Sequence, residues 1–250
     1  MYRKVTTMAH TILLAGAGGA IGKRLAPLLR NAGHDVFGTT RSRERADELR
    51  ANGVTPVVVD VFDAAALLRA LISIRPDVVI HQLTDLPAGL DPNRMVEAVK
   101  RNARIRDEGT RNLVDASITA GARRLVAQSI AWAYAPSDAQ HVEQDPLDLA
   151  AEGGRGVSVR GVVALESQVL DSPPLAGVVL RYGHLYGPGT GTGLGANPAL
   201  HVDAAAYAAL LAIDKGEPGV FNIAEPGDYV SSAKAIRELG WDAEFRLDCN

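Results

Sequence analysis

Apolar residues follow two spacings along this chain. In short runs nearly every position is apolar: Thr11-Ile12-Leu13-Leu14-Ala15, Asp35-Val36-Phe37-Gly38-Thr39-Thr40, Thr55-Pro56-Val57-Val58-Val59-Asp60 and Asp77-Val78-Val79-Ile80-His81. Such runs read as strands buried on both faces. Between them, apolar residues recur every three or four positions, as on one face of a helix. Ile21–Asn31 has Leu25, Leu28 and Leu29 inward and Gly33 at its end, an Arg-rich helix covers 43–51, and Ala64–Ser73 follows its cap Asp63. Pro27 lies inside the first of these helices, and a kink is expected there because proline removes a helical hydrogen bond at a cost of roughly 3 kcal/mol.

Residues 93–120 form a long amphipathic region. Strands at Arg124–Ser129 and Gly177–Arg181 enclose a polar loop over 136–146, a glycine-rich break at Gly153-Gly154-Arg155-Gly156 and a helix over Val159–Leu170. A Gly/Pro-rich loop over Tyr186–Pro198, a helix His201–Lys215, a strand Gly219–Ala224 and a helix Ser231–Leu239 complete the pattern. The repeated alternation of strand and helix predicts an α/β fold: a doubly wound parallel sheet with helices on both faces. One domain over 1–250 is expected, with 182–250 adding a small C-terminal region on the substrate side.

The first strand runs into Gly16-Ala17-Gly18-Gly19-Ala20-Ile21-Gly22, with a helix directly after it. In a Rossmann-like fold Gly16 permits the tight turn, Gly19 the close approach of a pyrophosphate, and Gly22 close packing of helix on sheet. Backbone amides over 16–22, those of Gly18, Ala20 and Ile21 included, then face the ligand at the positive end of the helix. An NAD site places an acid about 20 residues on to bind the ribose. Here that window holds Thr40, Arg41, Ser42 and Arg43 and no acid. Arg41 is suited to adenine stacking or to a 2'-phosphate, and Ser42 to bonding the same phosphate, which favours NADP over NAD. Asp60 and Val61, at the carboxyl end of strand three, are candidates for the adenine. Gln82 and Leu83, after strand four, are placed to pass beneath the pyrophosphate and nicotinamide ribose. His81 at the strand end reads more simply as a histidine satisfied by backbone than as an acid or base.

Composition excludes several alternatives. A net charge of -3 gives no basic surface for nucleic acid or anionic membrane. Cys249 is the single cysteine, so no intramolecular disulfide forms. No apolar run is long enough for a membrane span, and Arg3, Lys4 and His10 interrupt any leader-like segment, so a cytoplasmic protein is expected. The dispersed histidines give no metal-ligand spacing.

Taken together, Gly16-x-x-Gly19-x-x-Gly22, Asp60, Gly109-Thr110-Arg111-Asn112-Leu113, Gln128-Ser129, Leu180-Arg181-Tyr182-Gly183, Tyr186-Gly187-Pro188-Gly189, His201-Val202-Asp203 and Gly219-Val220-Phe221-Asn222-Ile223 resemble the NAD(P)-dependent epimerase/dehydratase group of the short-chain dehydrogenase/reductases. The resemblance implies a catalytic Ser after strand five, then a Tyr and, four residues on, a Lys. In such a site the phenol exchanges a proton with the substrate oxygen, the Lys lowers the phenol's pKa, and the Ser orients the substrate. Ser129 fills the first position. Aligned on Glu166, the Tyr position is Ser158 and the Lys position is Val162, and no lysine lies between Lys100 and Lys215.

Three readings stand at this point. One is an oxidoreductase or epimerase-like enzyme acting on a small sugar-like or carbonyl/hydroxyl metabolite. Its atypical proton donor would be Tyr134, ahead of His184 and Tyr186, though Tyr134 also fits a packing role. Another is a non-catalytic NADP-binding sensor or regulatory protein. The third is a relic whose cleft takes some other nucleotide or metabolite. Trp132, His184, Tyr186, Asn197 and His201 are candidate substrate residues, with His201 equally a helix cap and Asp203 an acid facing the amides of its helix. The family's dimers pair two long helices, here 93–120 and 158–170; monomer and homodimer both remain open.

Overall fold

Because successive side chains on a strand face opposite ways, a strand apolar at every position must be covered on both sides. The computed structural model describes residues 8–87 and 91–247, with Arg3, Lys4 and Cys249 outside them, and it meets that requirement. Strands β1 (Thr11–Ala15), β2 (Asp35–Thr40), β3 (Thr55–Val58), β4 (Val78–His81), β5 (Arg124–Ile130), β6 (Ala176–Tyr182) and β9 (Gly219–Ile223) form a seven-stranded sheet in the order β3-β2-β1-β4-β5-β6-β9. Every pairing in it is parallel. Ile12, Leu14, Val36, Ile80, Val126 and Leu180 pack on one face. Their alternates Leu13, Val79, Leu125, Ala127 and Val179 pack on the other.

Helices α1 (Ala20–Asn31), α2 (Arg43–Ala51), α7 (Val202–Leu211) and α8 (Ala233–Leu239) cover the first face. On the second lie α3 (Ala64–Ile74), α5 (Thr110–Ala120) and α6 (Gly153–Leu170). The amphipathic region over 93–120 is α4 (Pro92–Arg104) joined to α5 through one π-helical turn, Ile105–Gly109. Short strands β7 (His184–Tyr186) and β8 (Ala199–His201) pair beside the sheet and bracket the Gly/Pro-rich loop.

The doubly wound parallel sheet is as expected, with differences in detail. Helix α1 continues through Pro27 from Ala20 to Asn31. The glycine-rich segment at 153–156 is the first turn of α6 and not a break. Close packing explains it: a Cβ on Gly156 would lie 2.2 Å from the carbonyl oxygen of Ala151. Helix α7 stops at Leu211, short of Lys215. Asp203 differs too. Its buried carboxylate turns away from its own helix to accept from Arg24 Nε at 2.5 Å and Nη2 at 3.1 Å, and from the Leu247 N–H at 3.0 Å.

Asp203 therefore ties α1, α7 and the C-terminal segment together. Asp203→Ala is expected to lower stability by about 2 to 3 kcal/mol, because Arg24 loses its counter-ion and stays partly buried. Urea denaturation checks this, and an unchanged midpoint would remove the pair from the stability account.

Candidate functional site

The strand order reverses direction between β1 and β4, which opens a crevice at the carboxyl ends of the two strands. Gly16 turns there with φ +92°, and a Cβ on it would lie 2.5 Å from the carbonyl oxygen of Gln82. A Cβ on Gly22 would lie 2.3 Å from the Gly16 oxygen. Only glycine fits either place. Gly18 faces open space, with nothing within 4 Å of its absent Cβ. Gly19 is the extended N-cap of α1 and supplies no side-chain cap. The first helical bond is Lys23 N–H to the Gly19 carbonyl, so among the described residues the N–H groups of Ala20, Ile21 and Gly22 have no partner. The result is a row of unpaired amides at a helix N-terminus, suited to a phosphate. Gly189 comes within 3.8 Å of Ala20 Cα by the same measure, which brings the Gly/Pro-rich loop over this turn.

At the end of β2, Arg41 is exposed, with no ion pair among the described residues. Ser42 is occupied locally: it caps α2 by accepting from the Arg45 N–H at 3.3 Å, and its hydroxyl donates to Glu44. Thr40 Oγ1 accepts from the Ser42 N–H at 3.2 Å. A small recess beside them is lined by residues that include Gly18, Lys23, Thr40, Arg45 and Glu48, with Lys23 and Glu48 paired at 3.8 Å. Lys23 and Arg45 were not singled out from the sequence. The position of Lys23 directly after Gly22, one helical turn in, was the available signal.

Asp60 lies beyond the end of β3, where its carboxylate accepts from the Phe62 N–H at 3.0 Å. The Val61 carbonyl accepts from Asn112 Nδ2 at 2.9 Å. His81 is 1% exposed, accepts the Leu83 N–H on Nδ1 at 3.2 Å and lies 3.0 Å through Nε2 from Thr110 Oγ1. Burial first, and the nearby Arg106 charge second, push its pKa down to about 4. It is a neutral, satisfied histidine. Gln82 is buried, its Nε2 3.4 Å from the Tyr182 hydroxyl and its Oε1 without a described partner.

The next wall of the crevice is built on one carboxylate. Glu166, on α6, receives Ser129 Oγ–H at 2.7 Å and both Arg181 Nε at 2.9 Å and Nη2 at 2.6 Å. Arg181 Nη1 donates to the Tyr134 hydroxyl at 2.7 Å, which donates to Asn222 Oδ1 at 2.7 Å. Burial works against the Arg181 charge, but bonding to Glu166 outweighs it and holds the guanidinium above its ordinary pKa. Burial likewise raises the Tyr134 phenol, with Arg181 opposing. Ser129 and Tyr134 are both 0% exposed. The structure thus brings the two candidate catalytic hydroxyls into one network, inside the wall, with their hydrogen bonds already committed.

Ser158 is buried, and Val162 packs with Ile130, Ala133 and Val159 as part of an apolar cluster. Trp132 lies against that cluster and stacks on His184, ring centroids 5.3 Å apart and planes 6° from parallel. Burial lowers the His184 pKa. Tyr186 donates to Glu225 at 2.7 Å and meets His201 edge-on at 5.1 Å. His201 caps α7, accepting the Asp203 N–H at 3.2 Å. Asn197 stands apart on the surface, bonded to Asp228 at 2.8 Å.

An open parallel sheet with a glycine turn at its crossover crevice defines the class of doubly wound α/β proteins built on the dinucleotide-binding plan. The model of the NAD dependent epimerase/dehydratase family matches residues 12–198, and the chain belongs to that family. It is 44% identical over 229 residues to a 3-diazoavenalumate denitrifying reductase from a Streptomyces species, covering 91% of this chain and 72% of that protein. In fold it is similar to the UDP-glucose 4-epimerase of Thermotoga maritima solved with UDP-glucose (TM-score 0.75, 20% identity, 94% of each chain). It is similar also to the Thermus thermophilus UDP-glucose 4-epimerase complexed with NAD (TM-score 0.73, 21% identity, 95% of each chain). Among the described residues no helix is long and apolar enough to cross a membrane.

The depressed His81 pKa has a consequence for stability. Below about pH 6.5 the unfolded imidazole takes up a proton that the folded one refuses until about pH 4. Stability is therefore full above pH 6.5 and falls by roughly 3 kcal/mol from this group as pH drops through that window. Urea midpoints measured across pH 4 to 7 should slope less in His81→Gln than in the parent; equal slopes would show that His81 does not carry the effect.

Proposed function

We propose that this protein is a nicotinamide-dinucleotide-dependent reductase of a small planar electrophile, one whose reduction requires no proton from the protein. The fit to the cofactor rests on the glycine turn. Gly16 and Gly22 have no room for a Cβ, Gly18 faces open space, and the Ala20, Ile21 and Gly22 amides are unpaired at the start of α1. Those residues would hold the pyrophosphate, with Gln82 and Leu83 below the nicotinamide ribose and Asp60 and Val61 toward the adenine. Arg41, exposed at the end of β2 with no ion pair among the described residues, favours NADP over NAD. NAD-bound relatives of the same fold support the cofactor class.

The carrying observation is Ser158 and Val162 at the positions where the family has its Tyr and Lys. An apolar Val162 bears no charge to lower a phenol's pKa; Tyr134 is buried and doubly bonded, and Tyr182, beside Gln82, is buried with its hydroxyl donated to the Ala205 carbonyl and its pKa raised by burial. Neither Tyr134 nor Tyr182 is therefore poised, among the described residues, as an acid for reducing a carbonyl. The Streptomyces relative's name describes a different reaction, reduction of a diazo compound with loss of nitrogen. When bound, reduced nicotinamide would supply a hydride to the C–N carbon of the substrate's cationic diazonium form, the C–N bond breaking to release dinitrogen as the C–H bond forms, a balance that leaves no proton for the protein to provide. In that reading the protein's own residues bind and orient. Trp132 and His184 present aromatic surface to a flat substrate, and the Gly/Pro-rich loop excludes water above it.

Arg41→Asp is expected to move preference from NADPH toward NADH by about tenfold or more, read by calorimetric titration; unchanged selectivity would assign Arg41 to solvent. For the reaction, 3-diazoavenalumate is offered with cofactor deuterated at the transferring carbon. The expected product carries that deuterium at the former C–N carbon, gains none from D2O, and appears with one equivalent of dinitrogen. Solvent-derived deuterium there would defeat the reading. So would tight NADPH binding without turnover, which points to the sensor instead.

A further inference from the structure

Helix α4 and the turns after it carry a run of basic residues that look alike in sequence: Lys100, Arg101, Arg104, Arg106 and Arg111. In space they are not alike. Lys100 pairs with Glu97 at 3.0 Å, Arg101 with Asp85 at 3.1 Å, Arg104 with Glu108 at 2.7 Å, and Arg111 with Asp107. Arg106 has no ion pair among the described residues. It sits in the π-helical turn Ile105–Gly109, a geometry that recurs at functional sites. Its side chain crosses toward α6, where a Cβ on Gly161 would lie 3.4 Å from Arg106 Cδ. Its Nη1 reaches the Ser158 carbonyl at 3.4 Å, a long bond to a neutral acceptor.

The charge is held where charges are costly. Burial pulls the Arg106 pKa down to about 10, with Glu166 opposing. Yet Glu166 does not neutralise it, since the carboxylate is already filled by Arg181 and the Ser129 hydroxyl. The Arg106 charge is also felt at His81, at the carboxyl end of β4. By its contact with Ser158 it lies beside the α6 position aligned with the family's tyrosine, four residues before Thr110, whose hydroxyl meets His81 at the carboxyl end of β4, and it retains partial exposure. A desolvated guanidinium with unused planar donors is a receptor for a carboxylate.

We infer that Arg106 is a substrate-binding residue: its guanidinium takes the carboxylate of a small planar acid whose ring lies toward Trp132 and His184. The assignment rests on the reductase reading for the identity of the crevice, and it restricts the substrate class to acids. Gly161 itself answers to close helix packing: a Cβ there would lie 3.1 Å from the Ala103 Cα.

The test uses trans-cinnamate and trans-cinnamamide, equal in shape and different in charge, titrated into the full chain by calorimetry with and without saturating NADP. The parent is expected to bind the acid about tenfold or more tightly than the amide. In Arg106→Gln the two probes bind alike, through loss of the acid only, while NADP affinity is unchanged, and Arg106→Lys recovers part of the preference. A parent that does not prefer the acid overturns the proposal without any variant, so misfolding of Arg106→Gln leaves it decidable. A preference retained in well-folded Arg106→Gln overturns it equally. Failure of the parent to bind NADP, with the acid preference intact in cofactor-free protein, would sink the reductase reading and leave Arg106 as an anion site.

Discussion

A carboxylate deep in a protein must be matched by charge and hydrogen bonds or it will not stay ionised. Glu166 is such a group, and the wall of the crevice is arranged around meeting its needs. Arg181 comes from β6, Ser129 from β5 and Glu166 from α6, so three elements are fixed to one another by a single set of bonds. Arg181 then orients Tyr134, which reaches Asn222 on β9. Removing one partner of a buried pair of this kind typically costs 3 to 5 kcal/mol. The hydroxyls that resemblance marks as reactive are the ones this network uses for support.

That division of labour explains how the family fold survives without the Tyr and Lys. The turn after β1, the proposed cofactor cradle, is set by backbone meeting backbone so closely that only glycine fits. The wall depends on Glu166. Neither draws on residues 158 or 162, which are free to become a buried serine and a core valine without unsettling either part. Chemistry on this scaffold is consequently set by what the bound partners bring and by which charges face them.

Much of the fold was legible in the sequence because buried parallel strands leave an almost unbroken apolar signature. Residues 35–40 and 43–51 begin and end where patterning put them. The start of α6 was not legible, because glycine needed for close packing against Ala151 looks the same in sequence as glycine that ends a helix. Asp203 misled for a related reason: an acid at a helix start suits the helix dipole, and its real partner, Arg24, is distant in sequence. In the site, the glycine turn was readable from spacing alone. The commitment of Tyr134 and the isolation of Arg106 were not, since pairing among charges is decided by which way a helix faces.

The π-helical turn between α4 and α5 gives that facing an unusual sensitivity. Each residue advances an α-helix by about 100°, so a turn wound with one extra residue changes the phase between the helix before it and the helix after it. The motif Gly109-Thr110-Arg111-Asn112 is anchored to the ends of β3 and β4 through Asn112 and Thr110. Everything upstream takes its angular setting from that anchor. Losing a single residue from Ile105–Gly109 would leave composition and net hydropathy almost untouched, yet it would turn α4 like a dial, presenting a different arginine to α6 and a different face to solvent. Which arginine α4 turns toward α6 is thus stored as an angle, a quantity that insertions and deletions reset in one step and point substitutions do not.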